Sequence, residues 1–374
     1  MRSDATGDLD VLVVGGGPAG SACAIRLARG GARVGIIEAT DFSRFRIGET
    51  IESSVRSLLG QLTVDADDAS DWAAPSAGVA AAWGHPAAAR LPSLLNPYGP
   101  GWRVDRRAFD RMLFDRAGMA GAKTFARCRL ASAARRAQAW TFTLQTGRGP
   151  VHGRATWIVA ATGRSAPAPL AFARSRRYLD RLVGLAFIEA DGRESRSRPA
   201  TETLVEATRH GWWYTVTIPD GRTLAVFFTD SDLLPMGRYL RGRFLRDQLA
   251  SSPLTRARCE SFERGMANSR WSGFDARSSI RRVVMSQGWV AIGDAAMAFD
   301  PLCGRGVGEA ITSGIEAADW LLQSCPIGDN GLPSWIEGVA RRFNRYCAQR
   351  LSIYGSETRW TGSAFWQRRQ SVLA

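Results

Sequence analysis

Gly15, Gly17 and Gly20 stand where a short apolar run, Asp10 to Val14, gives way to the alanine-rich segment Ser21 to Arg29. A glycine at each of these positions serves a nucleotide. The first permits a tight turn, the second lets backbone approach a pyrophosphate, and the third lets the helix pack close against the strand. The free N–H groups at the start of that helix then face the phosphates. A second strand, Ala32 to Ile37, ends at Glu38, the right distance on for a carboxylate that accepts both ribose hydroxyls. An acid there disfavours a 2′-phosphate, so FAD or NAD fits and NADP does not.

The same strand-then-turn logic returns far downstream. Gly288 to Ile292 leads into Gly293-Asp294-Ala295. Phe299-Asp300-Pro301-Leu302-Cys303-Gly304-Arg305-Gly306-Val307-Gly308 then precedes an amphipathic helix over Glu309 to Trp320. Glycines just ahead of a helix leave backbone N–H groups available to an electron-rich ring edge. Two such sites in one chain disfavour NAD as the sole ligand. Between them lies Gly211-Trp212-Trp213-Tyr214, where strand alternation puts Trp212 and Tyr214 on one face and Trp213 on the other. These rings read either as an aromatic pocket wall or as sheet core. Of the three histidines, His85, His152 and His210, only His210 adjoins this segment, as an acid–base candidate or a structural residue.

The elements that must hold these residues form an α/β protein. Strand-like Thr141–Leu144 and Arg154–Val159, the latter running into Ala160-Ala161-Thr162-Gly163, return the chain to the nucleotide sheet. Tyr178 to Phe187, Thr203 to Ala207, Gly211 to Ile218 and Thr223 to Thr229 predict a mostly antiparallel second sheet, inserted as the floor of a substrate pocket. The expected organisation is a discontinuous Rossmann-like FAD-binding domain (1–80, 101–165 and 275–325), a substrate domain (81–100 and 166–274) and a helical C-terminal region (326–374). Ala166 to Arg174 is expected as a loop over the cofactor.

Gly-Gly-Gly-Pro-Ala-Gly with Glu38, then Phe45-Arg46-Ile47-Gly48-Glu49-Thr50, resembles the opening of the flavin-dependent aromatic hydroxylase and halogenase superfamily, and Gly293-Asp294-Ala295 with its glycine loop resembles that superfamily's flavin-ring block. The resemblance implies FAD, with Gly15, Gly17, Gly20 and Glu38 on its ADP half. It implies Arg106 on the phosphates or ribityl chain, Asp294 on the ribityl or pyrophosphate region, and Gly304 and Gly306 against the isoalloxazine. An aspartate frequent in that superfamily is replaced here by Ala160.

Tyr178 to Phe187, Gly211 to Arg222 and the closing segment Tyr354 to Trp360 resemble the halogenase-like subgroup that includes hydroxylases of peptidyl tryptophan in quinone cofactor maturation. That subgroup implies oxygenation through a flavin C4a-hydroperoxide, with O₂ as cosubstrate and NAD(P)H or a separate flavin reductase as electron source. The expected substrate is an indole or phenol, free or as a tryptophan in a peptide. Glu49, inside the matched segment, is the better carboxylate candidate beside Glu52, and Arg305 suits a substrate carboxylate or the charge that develops on the flavin. Cys303, without a nearby partner or activating base in sequence, reads as buried and inert.

Halogenation fits poorly. The stretch Thr50 to Leu62 lacks the lysine that the resemblance calls for, and Cys303-Gly304-Arg305 replaces the serine and threonine of a halide site. Arginine, always protonated, offers no nucleophilic amine. The same motifs also admit a flavin-dependent reductase or dehydrogenase without oxygen insertion, of the prenyl-chain-reductase kind, and a non-catalytic FAD-binding protein.

Composition bounds the rest. The chain has 374 residues, 45% hydrophobic and 22% charged, ordinary for a folded protein of two or three domains. Lys123 is its single lysine among 49 basic residues, and the formal net charge is +14. Acidic partners are compatible with that charge, but the arginines carry no nucleic-acid reading motif, so no nucleic-acid partner is expected. Six scattered cysteines, no secretory leader and no long apolar run lead to the expectation of a reduced, cytoplasmic protein without membrane partner or metal centre, its oligomeric state open.

Overall fold

The computed structural model describes residues 7–65, 69, 71–93, 96, 98–165, 176–188, 200–259, 271–324 and 332–371. The loop expected over 166–174 lies outside them.

The nucleotide half is an eight-stranded sheet whose central strands run in the order Trp289–Ala291, Gly149–Ala160, Asp8–Val14, Val34–Ile37 and Lys123–Phe125. All four pairings along that path are parallel. Strands covered on both faces need continuous apolar runs, and Val11 to Val14 are buried throughout. The hairpin Arg129–Arg136 and Ala139–Thr146 extends antiparallel from the long Gly149–Ala160 strand. Helix Pro18–Arg29 begins with proline in its first turn after Gly17, where no side chain caps the exposed N–H groups. It packs on Gly306–Ser324 so closely that a Cβ on Gly314 would stand 2.3 Å from the Ala19 carbonyl oxygen.

The second sheet has seven strands, ordered Ser272–Asp275, Leu182–Ile188, Thr223–Asp230, Gly211–Thr217, Glu202–Thr208, Gly78–Ala82 and Ala89–Pro92. It is antiparallel except where Gly78–Ala82 runs alongside Glu202–Thr208. The boundary expected between 80 and 81 therefore falls inside a strand that belongs wholly to this sheet. Tyr178 to Phe187 divides as well. Arg176–Tyr178 pairs with Ser279–Arg281 in a separate three-stranded sheet, and only Leu182–Ile188 joins the large one. Another three-stranded sheet, Thr50–Ile51, Trp102–Val104 and Ala73–Pro75, lies between the halves. Arg103 fastens it to the large sheet by donating to the carbonyls of Pro75 (3.2 Å) and Thr217 (2.7 Å).

Helices Leu332–Gly355 and Ala364–Gln370 close the molecule against one face of the seven-stranded sheet. Trp212, Phe228, Tyr354, Phe365 and Trp366 form a common apolar cluster there, and the Trp366 indole donates to the Thr208 carbonyl at 2.9 Å. The opposite face of the sheet is covered by helix Arg238–Ala250, with Trp213, Phe227, Leu245 and Leu249 between them. Asp230, at the end of its strand, holds Arg369 through both carboxylate oxygens at 2.6 and 3.1 Å, and both side chains are 1% exposed. Arg368 reaches the same carboxylate from a side chain 42% exposed.

A buried charge left without its partner is far costlier than a broken exposed pair. Asp230→Ala is expected to destabilise the fold by about 3–5 kcal/mol, and Arg368→Ala by under about 1 kcal/mol. Urea denaturation midpoints of the two variants check the order.

Candidate cofactor and active site

The glycine turn forms where the strand Asp8–Val14 meets its helix, and the contacts there leave no choice of residue at two positions. Gly15 has φ +117°, and a Cβ on it would stand 2.2 Å from the Ala161 carbonyl oxygen; one on Gly20 would stand 1.9 Å from the oxygen of Gly15. Gly17 is different. Its φ of −76° is open to any residue, and the nearest atom to a Cβ there is an Arg46 guanidinium nitrogen at 3.8 Å. The space beside Gly17 is empty, bounded by uncapped N–H groups and an arginine, which is the cradle a pyrophosphate needs. An FAD fits this chain by that observation.

Glu38 stands at the end of its strand, buried, and accepts from the Gly16 N–H (2.9 Å), the Thr40 N–H (3.0 Å), the Thr40 hydroxyl (2.7 Å) and Arg46 (3.1 Å). A ribose would share a carboxylate already oriented by four donors. Arg106 lies deeper than its expected role requires. It forks onto Asp110 at 3.0 and 3.1 Å and donates to the Ile47 carbonyl at 2.8 Å. Asp110, wholly buried, also accepts from Arg46 at 2.9 Å. Sequence does not single out Arg46, Thr40 and Asp110 as site residues. The i, i+4 spacing of Arg106 and Asp110 on one helix is the available signal for that pair.

The downstream block comes back to the same place. Gly293 has φ +55°, its missing Cβ pointing at the Ala19 side chain 2.8 Å away, so the two glycine sites touch. Asp294 follows at the carboxyl end of Trp289–Ala291, its side chain 37% exposed and 3.4 Å from Arg164. Gly304 and Gly306 have nothing within 4 Å of a would-be Cβ, which leaves a bare backbone surface for a planar ring. Arg305, between them, is partly exposed and 3.5 Å from Glu309. Cys303 is buried without a disulfide, and burial pushes its thiol up to about 12.

Glu49 is the outlier of the site. Its side chain is fully buried, Oε2 accepts the Gly48 N–H at 3.0 Å, and Oε1 has no partner at all. Burial pushes its carboxyl up to about 7, against a lesser opposing pull from backbone N–H groups and Arg106. Next along the chain, the Thr50 hydroxyl meets the Tyr214 hydroxyl and the Thr203 hydroxyl, each at 2.8 Å. Burial, then the neighbouring Glu49 charge, holds the Tyr214 phenol well above its ordinary range.

Of the three rings expected to wall a pocket, only Tyr214 meets this cluster. Trp212 stacks on Phe228, with centroids 4.1 Å apart, and donates to the Tyr354 hydroxyl at 3.1 Å. Trp213 packs against Phe227 under helix Arg238–Ala250. His210 occupies the hairpin turn before Gly211, its ring 6.1 Å from Phe244 on that same helix. Tyr214 lies four residue steps further along the strand, roughly 14 Å. The structure does not bring His210 together with Glu49. Lys123 is also remote: its Nζ lies 3.8 Å from where a Gly7 Cβ would stand, at the amino end of the sheet and about 23 Å along a seven-residue strand from the glycine turn.

Two outcomes follow from this geometry. Gly17→Val is expected to fold with an unchanged melting temperature and lose FAD, because the added methyls fill only the cradle. Gly20→Ala is expected to disrupt folding itself. Flavin absorbance after desalting, alongside circular dichroism, separates the two. Glu49 yields a pH signature. The folded carboxyl keeps its proton to about 7 while the unfolded one releases it near its ordinary 4.5. Stability from the neutral form is therefore fully present below pH 4.5 and is lost as pH rises toward 7, by on the order of 3 kcal/mol. Glu49→Gln should raise the melting temperature of FAD-free protein at pH 8 and change it little at pH 4. An equal shift at both would refute the raised pKa.

The chain is similar to known flavoproteins along most of its length. LodB of Marinomonas mediterranea, named as an FAD-dependent oxidoreductase, is 27% identical over 372 residues, 98% of both chains. The solved structure of QhpG, a peptidyl tryptophan dihydroxylase essential for tryptophylquinone cofactor biogenesis, is 27% identical, with a TM-score of 0.77 over 97% of this chain and 79% of that one. The myxobacterial chondrochloren halogenase CndH has the same fold, with a TM-score of 0.80 at 22% identity over 98% of this chain and 86% of that one. The FAD binding domain family matches residues 8–208, more than half of the chain, and the protein belongs to that family.

Proposed function

We propose that this FAD-dependent oxidoreductase is a monooxygenase that hydroxylates an electron-rich aromatic ring, an indole or phenol, with tryptophan in a peptide as the favoured substrate. The observation that carries the reading is Glu49, a buried carboxylate with an unpaired oxygen and a carboxyl raised to about 7. A group poised near neutral pH suits removal of a proton from a ring hydroxyl or indole nitrogen as oxygen is added. FAD, when bound, supplies the reducing power that activates O₂, with NAD(P)H or a separate flavin reductase as its electron source.

The chain's own groups have separable tasks. The N–H groups after Gly17, with Arg46, would bind the pyrophosphate, and Asp110 keeps Arg46 and Arg106 aimed. Glu38 would take the ribose, Asp294 the ribityl region, and the bare backbone at Gly304 and Gly306 would receive the ring. Glu49 accepts the substrate proton. Tyr214, held by Thr50, keeps water from the face beside it. Similarity to QhpG supports the peptidyl substrate.

The placement of Lys123 argues against halogenation, since no amine lies near the site among the described residues. A prenyl-chain reductase needs a long apolar tunnel, whereas the cleft beside the flavin loop sets four arginines and two glutamates among its aromatic residues.

The enzyme, FAD, NAD(P)H with and without a flavin reductase, O₂ and halide are to be incubated with free tryptophan, small phenols, a tryptophan-containing peptide and an isoprenoid alkene. Oxygen gained on the peptide alone supports the narrow reading, and oxygen gained on free arenes the broader one. Reduction of an isoprenoid double bond without oxygen insertion, or halide-dependent mass shifts, would overturn both. Turnover should rise with pH through about 7 and fall roughly 10²–10⁴-fold in Glu49→Gln, while Lys123→Ala retains it.

A further inference from the structure

A cleft of about 550 Å³ opens between helices Gly306–Ser324 and Leu332–Gly355, and Cys303 and Arg305 of the flavin loop form part of its wall. Its charged lining is lopsided, with Arg305, Arg341, Arg342 and Arg345 against Glu309 and Glu316. Arg341 and Arg345 lie one helical turn apart on one face of their helix. Among the described residues Arg345 is exposed and makes no ion pair or hydrogen bond. Among the described residues Arg341 pairs with Glu337 alone, at 3.4 Å, and both side chains are more than two-thirds exposed. Arg305 holds Glu309 no closer than 3.5 Å. Such pairs are worth at most about 1 kcal/mol and give way readily to a better acceptor.

Arg342 is committed to Glu316 on the facing helix. Trp320 and Trp335 supply aromatic wall. A cleft with spare positive charge at Arg345 and Arg341 and indole walls calls for carboxylates on a chain with some apolar surface. The two glutamates, two turns apart on the facing helix, break up the positive field. That spacing suits separated side-chain carboxylates better than a uniformly charged phosphate backbone.

We infer that this cleft is a docking groove for an acidic peptide segment, which it holds beside the flavin loop. The inference rests on the peptidyl reading of the substrate and adds to it a charge requirement on the residues flanking the oxidised ring. It also assigns Arg345 and Arg341 as the residues that select such a substrate.

The test measures binding and needs no turnover. A short fluorescein-labelled peptide, with one tryptophan flanked by aspartates and glutamates, and its asparagine and glutamine counterpart are titrated with the FAD-loaded enzyme by anisotropy. The acidic peptide should bind roughly tenfold tighter, with an advantage that shrinks in salt. Arg345→Glu and Arg341→Glu, checked for flavin content, should each abolish that advantage. Arg148→Glu, the same charge change on an exposed hairpin turn of the other sheet, should preserve it. Equal affinity for the two peptides, or equal losses at Arg148 and Arg345, would overturn the groove. Displacement of the peptide by single-stranded DNA whose own affinity falls in Arg345→Glu would overturn it in favour of a nucleic-acid site. A peptide bound through Arg345 but never oxidised would sink the peptidyl reading and leave the groove standing. A peptide oxidised, yet bound equally by wild type and Arg345→Glu, would sink the groove alone.

Discussion

Everything at the cofactor site depends on one close backbone approach. Gly15 carries its chain within contact of Ala161 on one side and Gly20 on the other, distances that exclude any side chain at 15 or 20. That contact fixes where helix Pro18–Arg29 starts, and so where its unpaired N–H groups point. The same helix then sets the downstream block, because Ala19 packs on both Gly293 and Gly314. Segments from opposite ends of the chain are brought together by missing Cβ atoms, and the ion pair of Arg26 with Asp319 at 2.6 Å adds one partly exposed polar tie between the same two helices. The polar groups, Glu38 and Asp110 with their arginines, aim side chains within a frame that packing has already set.

Glu49 runs against that economy. A buried carboxylate with one oxygen unpaired weakens the fold at neutral pH, and an apolar residue of similar size would remove the cost. Groups of this kind persist where their chemistry is used. Its neighbours sharpen the point. Thr50, Thr203 and Tyr214 satisfy one another's hydroxyls and leave nothing for Glu49. Oε2 is taken by the Gly48 N–H, and Oε1 is left as the one unpaired oxygen.

The fold was legible where local pattern determines it. The glycine spacing, the carboxylate after the second strand and the alternation of Trp212, Trp213 and Tyr214 are read within a few residues, and each has its structural counterpart. What escaped reading depends on distant partners. Nothing near Arg46 in sequence announces that Asp110 will meet it, and nothing near Tyr214 announces Thr50. His210 shows the converse. Adjacency to Trp212 suggested a shared pocket, but the residue falls in a hairpin turn whose ring faces the outer helix. Gly78–Ala82 escaped because its parallel pairing with Glu202–Thr208 joins segments separated by an entire domain's worth of chain.

The near-exclusive use of arginine also acquires a structural meaning. Arg103, Arg281, Arg350 and Arg369 are all less than a tenth exposed, a burial that a lysine would tend to answer by losing its proton. A guanidinium stays charged and spreads its donors over several acceptors at once. Arg103 joins two sheets through carbonyls alone, and Arg369 forks onto Asp230 while lying over the Phe365 ring, 3.7 Å from its centroid. Arginines paired with carboxylates contribute nothing to the net +14. That excess belongs to arginines without an acidic partner, and those at the surface are the ones a partner can reach. An exposed cation on a hairpin turn merely attracts anions. Arg345, set in a walled cleft next to the flavin loop, can hold one in a defined register, which turns a global charge into a local preference.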